Sequence, residues 1–148
     1  MQQEDLDALV RQRTRQLQDQ LAELQHHHEK MRVLLDESSD PIFSFSADGH
    51  YLYVNHTFAS TLGLTAGQII GKTIWDIFPG EGGDRRFAVV RKSFEQGTVE
   101  TIEVVIPLAS GPRNLITTVK PVRDASGQVA SVICISKDVT RSEERRVG

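Results

Sequence analysis

The side chains in this sequence with chemistry to offer are few and scattered. His26, His27 and His28 are consecutive and invite a metal reading. Neighbours on a helix point about 100° apart, so the three cannot converge on one ion; helical ligand pairs need spacings of three or four. Histidines on a solvated helix account for them better. Cys134 is the only cysteine, set in the apolar run Val132-Ile133-Cys134-Ile135, where a small buried thiol is expected rather than a redox sensor. Asp76 and Glu81 are near each other in sequence, but one suits a helix and the other a loop, and nothing marks an acid–base pair. There is no Gly-rich phosphate loop, no Gly-x-Ser-x-Gly elbow and no His/Cys/carboxylate cluster with metal spacing. The sequence predicts no catalytic residue and no metal ligand, hence a regulatory chain whose catalytic effector lies elsewhere.

Composition narrows the class. With 148 residues, one domain plus an appendage is expected, large enough to fold without staples. Hydrophobic residues at 39% and charged residues at 25% are ordinary for a globular chain. A net charge of −3 makes nucleic acid a poor default partner. The single cysteine excludes an internal disulfide framework and fits a reducing, cytoplasmic compartment. No apolar run approaches a membrane span and the polar start is not a signal peptide, so no membrane contact is expected of this fragment.

From about Glu4 to Glu37 there is no glycine or proline, and Gln, Leu, Glu and Arg dominate, which predicts a long helix. Val10, Thr14, Leu17, Leu21, Leu24, His28, Met31 and Leu35 recur at alternating spacings of four and three. That narrow stripe is a coiled-coil seam, with Leu17, Leu24 and Met31 at d and Thr14, Leu21, His28 and Leu35 at a. At about 1.5 Å per residue the helix reaches roughly 50 Å, more than a domain of this size covers, so it should pair with a second copy. Thr14 and His28 weaken the seam and can fix its register.

The next stretch, Pro41 to Pro79, organises the rest. Ile42-Phe43-Ser44-Phe45 and Tyr51-Leu52-Tyr53-Val54 flank Asp48-Gly49, a dipeptide suited to a tight hairpin. Asn55 can cap a short helix from His56 that ends at Gly63. Thr65 and Gln68 form a capping box for another, stopped at Gly71, and Thr73-Ile74-Trp75-Asp76-Ile77-Phe78 follows. Pro79 to Gly83 reads as a loop, then a helix from Asp84, its cap, to Gly97, its stop. Its expected inward face is Phe87, Val90 and Phe94, with Arg85, Arg86 and Lys92 solvated. Three strands come next: Thr98–Ile106, with Gly111-Pro112 as the turn out; Asn114–Val122; and, after the Asp124–Gly127 hairpin, Val129–Ser136. Thr140 and Glu143 make another capping box, opening a helix that continues an output beyond the domain.

Two strands, several stubby helices and three strands resemble a PAS domain. The residues carrying the likeness are the Asp48-Gly49 hairpin, Tyr53-Val54-Asn55, Phe58, Leu62-Gly63, Ile70-Gly71-Lys72 before Ile74-Trp75-Asp76, and Asp138-Val139-Thr140, which is similar to the Asp-Ile-Thr ending of many members. The resemblance covers about Leu35 to Thr140. It implies an α+β fold: a five-stranded antiparallel sheet with short helices on one face, here preceded by a long coiled-coil helix. The expected organisation is a signalling coiled coil at 1–36, a PAS domain at 37–140 and the start of an output helix at 141–148. The segment Arg11 to Leu17 also resembles the helical linkers that join PAS domains to preceding sensory segments.

Between sheet and helices such a fold leaves a concave space. Phe58, Leu62, Trp75, Ile77, Phe87, Val90, Leu115, Val119, Ile133 and Ile135 are its expected walls, with Thr117 as a polar contact and Asn114 a further one. These residues either pack as a core or accept a small molecule. The flavin branch's Asn-Cys-Arg-Phe motif has no counterpart in Asp76 to Phe87. The heme branch's histidine is missing from Asp84 to Gln96, and His50 and His56 suit turn and cap-adjacent roles. No cofactor is expected; a non-covalent flavin beside Trp75 is the alternative the residues leave open. The resemblance implies that Asp138 and Thr140 couple the sheet to the outgoing helix. The leading expectation is a sensory and dimerisation module of a two-component signalling protein, a sensor histidine kinase. The rivals are a protein-interaction or spacer module without a ligand and a cofactor-bearing redox or light sensor.

Overall fold

The computed structural model describes residues 2–108 and 110–140, and the chain parts into two units between Asp36 and Glu37. The first is α1 (Gln3–Glu37), one unbroken helix with Glu4 and Asp5 in its first turn, where negative charge complements the helix dipole. None of its residues is buried; Leu17 and Leu24 of the expected seam are 65% and 64% exposed.

The second unit runs β1 (Ile42–Phe45), β2 (Tyr51–Val54), α2 (His56–Thr61), α3 (Ala66–Ile69), α4 (Ile74–Ile77), α5 (Glu81–Gln96), β3 (Glu100–Leu108), β4 (Gly111–Arg123) and β5 (Val129–Asp138). The strands form one antiparallel sheet in the order β2-β1-β5-β4-β3. The first and last strands are therefore neighbours, with Phe43 opposite Cys134 and Ile42 opposite Ile135. This is the PAS architecture the sequence leads one to expect.

Helices this short hold little stability of their own and depend on their caps and on burial. Asn55 caps α2 by accepting the Phe58 N–H at 2.9 Å. The Thr65/Gln68 box caps α3, and a second box, Thr73/Asp76, does the same for α4. At the β1–β2 turn Gly49 takes φ 83°, which the tight hairpin requires. The core beneath these helices is aromatic: the rings of Phe43, Phe45, Tyr51 and Phe58 meet at centroid distances of 4.4 to 6.3 Å. Ile69, Ile74, Val90, Val119, Val132 and Cys134 complete it.

Three expectations need correction. α5 starts at Glu81 with Gly80 as its cap, so Asp84 lies inside the helix and the glycines at 82 and 83 are helical. Close packing forces that composition: a Cβ on Gly83 would stand 2.3 Å from the Phe78 carbonyl oxygen and 2.6 Å from Trp75 Cδ1. Asp84 instead accepts the Trp75 indole N–H at 2.7 Å. Arg86 is not solvated; it lies half-buried over the Phe78 ring, 3.8 Å from its centroid. Gly111-Pro112 is not a turn but the start of β4, pairing with Leu108 and Pro107. Pro112 is tolerated because β5 reaches only to Asp138, opposite Leu115, so no second neighbour asks for its missing N–H. β3 is shifted two residues along from Thr98–Ile106 in consequence. The expected Thr140/Glu143 box and output helix involve residues outside those described.

Candidate functional site

The inner face of the sheet and the helices enclose an apolar cavity. Its sheet wall is Phe43 and Phe45 of β1, Ile102, Val104 and Ile106 of β3, Leu115, Thr117 and Val119 of β4, and Cys134 and Ser136 of β5. These share one side because the register sets Thr117 opposite both Ile102 and Ser136, and Cys134 opposite both Phe43 and Val119. The helical wall is Phe58, Thr61, Leu62, Phe78, Arg86 and Val90. The space left is small, about 40 Å³. That is room for roughly three waters or a few non-hydrogen atoms, well short of the ~150 Å³ that takes a benzene ring.

Of the walls expected from sequence, Phe58, Leu62, Val90, Leu115, Thr117 and Val119 line this cavity. Trp75, Ile77 and Phe87 do not; they pack against the core from the helical side, with Trp75 and Phe87 rings 4.9 Å apart. Ile133 and Ile135 alternate with Cys134 and Ser136 and so point to the other face of the sheet, as does Asn114 beside Leu115. The run Val132–Ile135 is apolar throughout, so its hydrophobicity carries no phase. The residues missed, Tyr51 and Arg86 among them, carry no local motif.

Polar groups on the cavity wall are few. Thr117 Oγ1 and Ser136 Oγ hydrogen-bond each other at 2.7 Å. Tyr51, 1% exposed, has the one buried side-chain polar atom without a hydrogen-bond partner among the described residues. Burial pushes its phenol upward, so it stays a proton donor. Arg86 donates to the Gly82 carbonyl at 3.0 Å, and burial lowers it from its ordinary value. Burial also pushes the Cys134 thiol up, which leaves it inert as a nucleophile. His50 lies 3.0 Å from Asp48 and His56 3.2 Å from Ser60 Oγ, both at element ends. Among the described residues no group of three His, Cys, Asp or Glu side chains could hold a metal ion, and no helix is long and apolar enough to cross a membrane.

A second polar arrangement closes the domain. Asp138 Oδ1 accepts the Thr140 N–H at 2.9 Å, and Thr140 Oγ1 accepts the Asn114 N–H at 2.7 Å. The Val139 N–H reaches the Asn114 carbonyl at 2.8 Å, so both backbone groups of one β4 residue hold the outgoing chain. Partial burial works to raise the Asp138 carboxyl, but the bonds from Thr140 and the Arg113 charge leave it below the usual range.

The sequence and the fold are similar to those of known proteins. The two-component sensor PprA of Pseudomonas aeruginosa is 29% identical over 114 residues, 76% of this chain and 12% of that protein. The virulence sensor BvgS of Bordetella pertussis is 40% identical over 68 residues, 44% of this chain and 5% of that one. The chain thus spans a small part of the length of either sensor. The solved PAS domain of Bordetella pertussis BvgS superposes with a TM-score of 0.60 at 26% identity, over 90% of this chain and 96% of that one. A structure of VqmA bound to DPO shares the fold, with a TM-score of 0.66 at 19% identity, over 74% of this chain and 56% of that one. The family model for the PAS fold matches residues 35–144. With that match over most of its length, this chain belongs to the PAS family and carries a sensory domain like those of the sensors PprA and BvgS.

Proposed function

We propose that this chain is the sensing segment of a larger cytoplasmic two-component sensor kinase, that it pairs with a second copy through α1, and that it passes its state onward at Thr140. The observation that carries the reading is the adjacency of the way in and the way out. The strand that follows α1 is hydrogen-bonded along its length to the strand that ends at Asp138, and the Ser136 N–H donates to the Pro41 carbonyl at 3.0 Å. A displacement at either end is thus felt at the other, and the clasp of Asp138 and Thr140 on Asn114 transmits it. The mechanism is a shift between two packings of paired helices, biased by a small molecule in the cavity or by strain from α1. Leu6 and Leu34, exposed beside the seam positions, widen the apolar stripe a second copy would cover.

The module performs no reaction itself and uses neither heme nor flavin: a cavity of about 40 Å³ is far too small for a three-ring isoalloxazine. A colourless purified protein supports this, and a flavin or Soret band refutes it. Light scattering tests the pairing. The full chain should weigh as a dimer and residues 34–148 as a monomer; a monomeric full chain overturns the reading.

A further inference from the structure

Resting on that sensory reading, we propose that the cavity recognises a short-chain monocarboxylate, with an apolar body of about one or two carbons, held by Arg86 and Tyr51. Three observations converge. The Tyr51 hydroxyl is a donor walled into an apolar space with no protein acceptor, and such a group costs stability unless something accepts from it. Arg86 brings a half-buried guanidinium to the same cavity, close enough to Tyr51 for the two to affect each other's charge. Among the described residues it has no carboxylate partner; its contacts are the Gly82 carbonyl and the Phe78 ring. A cation drawn partly out of water is normally paired, and none of the described residues supplies the negative partner.

The two groups define the ligand's chemistry. A carboxylate accepts a charge-assisted bond from the guanidinium and a second from the phenol; a neutral alcohol or amide satisfies one of them at most. The rest of the wall, Phe43, Phe45, Phe58, Ile102, Val104 and Leu115, is apolar and excludes a second charge. The volume, about 40 Å³, limits the body to a methyl or ethyl group. Thr117 and Ser136 satisfy each other and leave the anchoring to Tyr51 and Arg86.

Propionate and n-propanol, titrated by calorimetry into the full chain, its Arg86→Gln variant and its Tyr51→Phe variant, test the proposal. Propionate is expected to bind the wild type at least tenfold more tightly than n-propanol does. Arg86→Gln should weaken propionate tenfold or more and leave n-propanol unchanged. Tyr51→Phe should weaken propionate several-fold while the protein melts at the same temperature or higher, because the substitution removes only an unpartnered hydroxyl. Equal affinity for acid and alcohol, propionate binding that survives Arg86→Gln, or no propionate binding overturns the proposal. Any of these in a chain that still weighs as a dimer leaves the sensory reading standing. Propionate binding to a monomeric chain does the reverse.

Discussion

Replacing Asn55 tests whether one side chain joins the domain's entrance to its first helix. Asn55 is fully buried, and its amide bridges Ile42, Phe58 and Asp40. Oδ1 accepts the Phe58 N–H at 2.9 Å and the Ile42 N–H at 3.0 Å, while Nδ2 donates to the Asp40 carbonyl at 3.0 Å. Asn55→Ala removes a helix cap, worth about 1 kcal/mol. It also strands a buried N–H on β1, costing about 1–3 kcal/mol, and a partly buried carbonyl costing rather less. The sum is about 3–5 kcal/mol, against about 5–15 kcal/mol for a whole domain. At roughly 4–8 °C per kcal/mol for about 100 residues, the melting temperature should fall by about 15 °C or more. Asn55→Ser keeps the cap but is too short to reach Ile42 and Asp40, so it should recover only about 1 kcal/mol. Urea titration followed by the fluorescence of the single tryptophan, Trp75, reports on this unit without interference from α1. An alanine variant within about 0.5 kcal/mol of wild type, or a serine variant indistinguishable from it, would refute the bridging role.

Three further expectations are independent of that one. Gly83→Ala gains about 1 kcal/mol of helix propensity. Its new methyl meets a backbone oxygen at 2.3 Å, so the net effect should be a loss of about 1–2 kcal/mol, read as a lower urea midpoint; a rise would show that α5 shifts freely. Asp48 is held down to about 2 by hydrogen bonds from Ser46 and His50. A depressed carboxyl stabilises above its unfolded value and loses that contribution as the pH falls toward its folded one. The gap in melting temperature between wild type and Asp48→Asn should therefore close between about pH 4 and pH 2; a constant gap contradicts it. Thr140→Val keeps the side chain's shape but leaves the Asn114 N–H without its acceptor. It should cost about 1 kcal/mol and raise the hydrogen-exchange rate of that amide, and unchanged exchange would show that the clasp is idle.

Legibility followed the range of the interaction. Asn55, the Thr65/Gln68 box and the Asp48-Gly49 hairpin act within a few residues, and each stands where its local pattern puts it. Thr73/Asp76 obeys the same grammar with a shorter acid and was missed for that reason. The strand count followed from β-branched runs and turn dipeptides. Its phase did not, because an apolar run such as Val132–Ile135 looks alike in either register and only the partners Phe43 and Val119 decide it. The start of α5 depended on contacts between Gly83, Phe78 and Trp75, which no window around residue 83 contains.

The cavity's polar residues failed to show for a different reason. Phe87, Val90 and Phe94 do face the core, as their spacing predicts. The same side of α5 also buries Gly83 and Ser93, and Arg86 lies there too, three residues after Gly83 and four before Val90. Glycine, arginine and serine carry no apolar signal, so hydrophobic patterning leaves them to solvent. Ser93 belongs there because its hydroxyl donates to the Thr98 carbonyl at 2.8 Å and closes the helix; Gly83 belongs because Phe78 and Trp75 press on it. Arg86 stacks over the Phe78 ring and donates to the Gly82 carbonyl within its own turn, and no carboxylate among the described residues pairs with it. A half-buried charge that shares a cavity with an unpartnered phenol is costly to keep without a counter-ion. On the proposal above, a bound carboxylate is what offsets that cost.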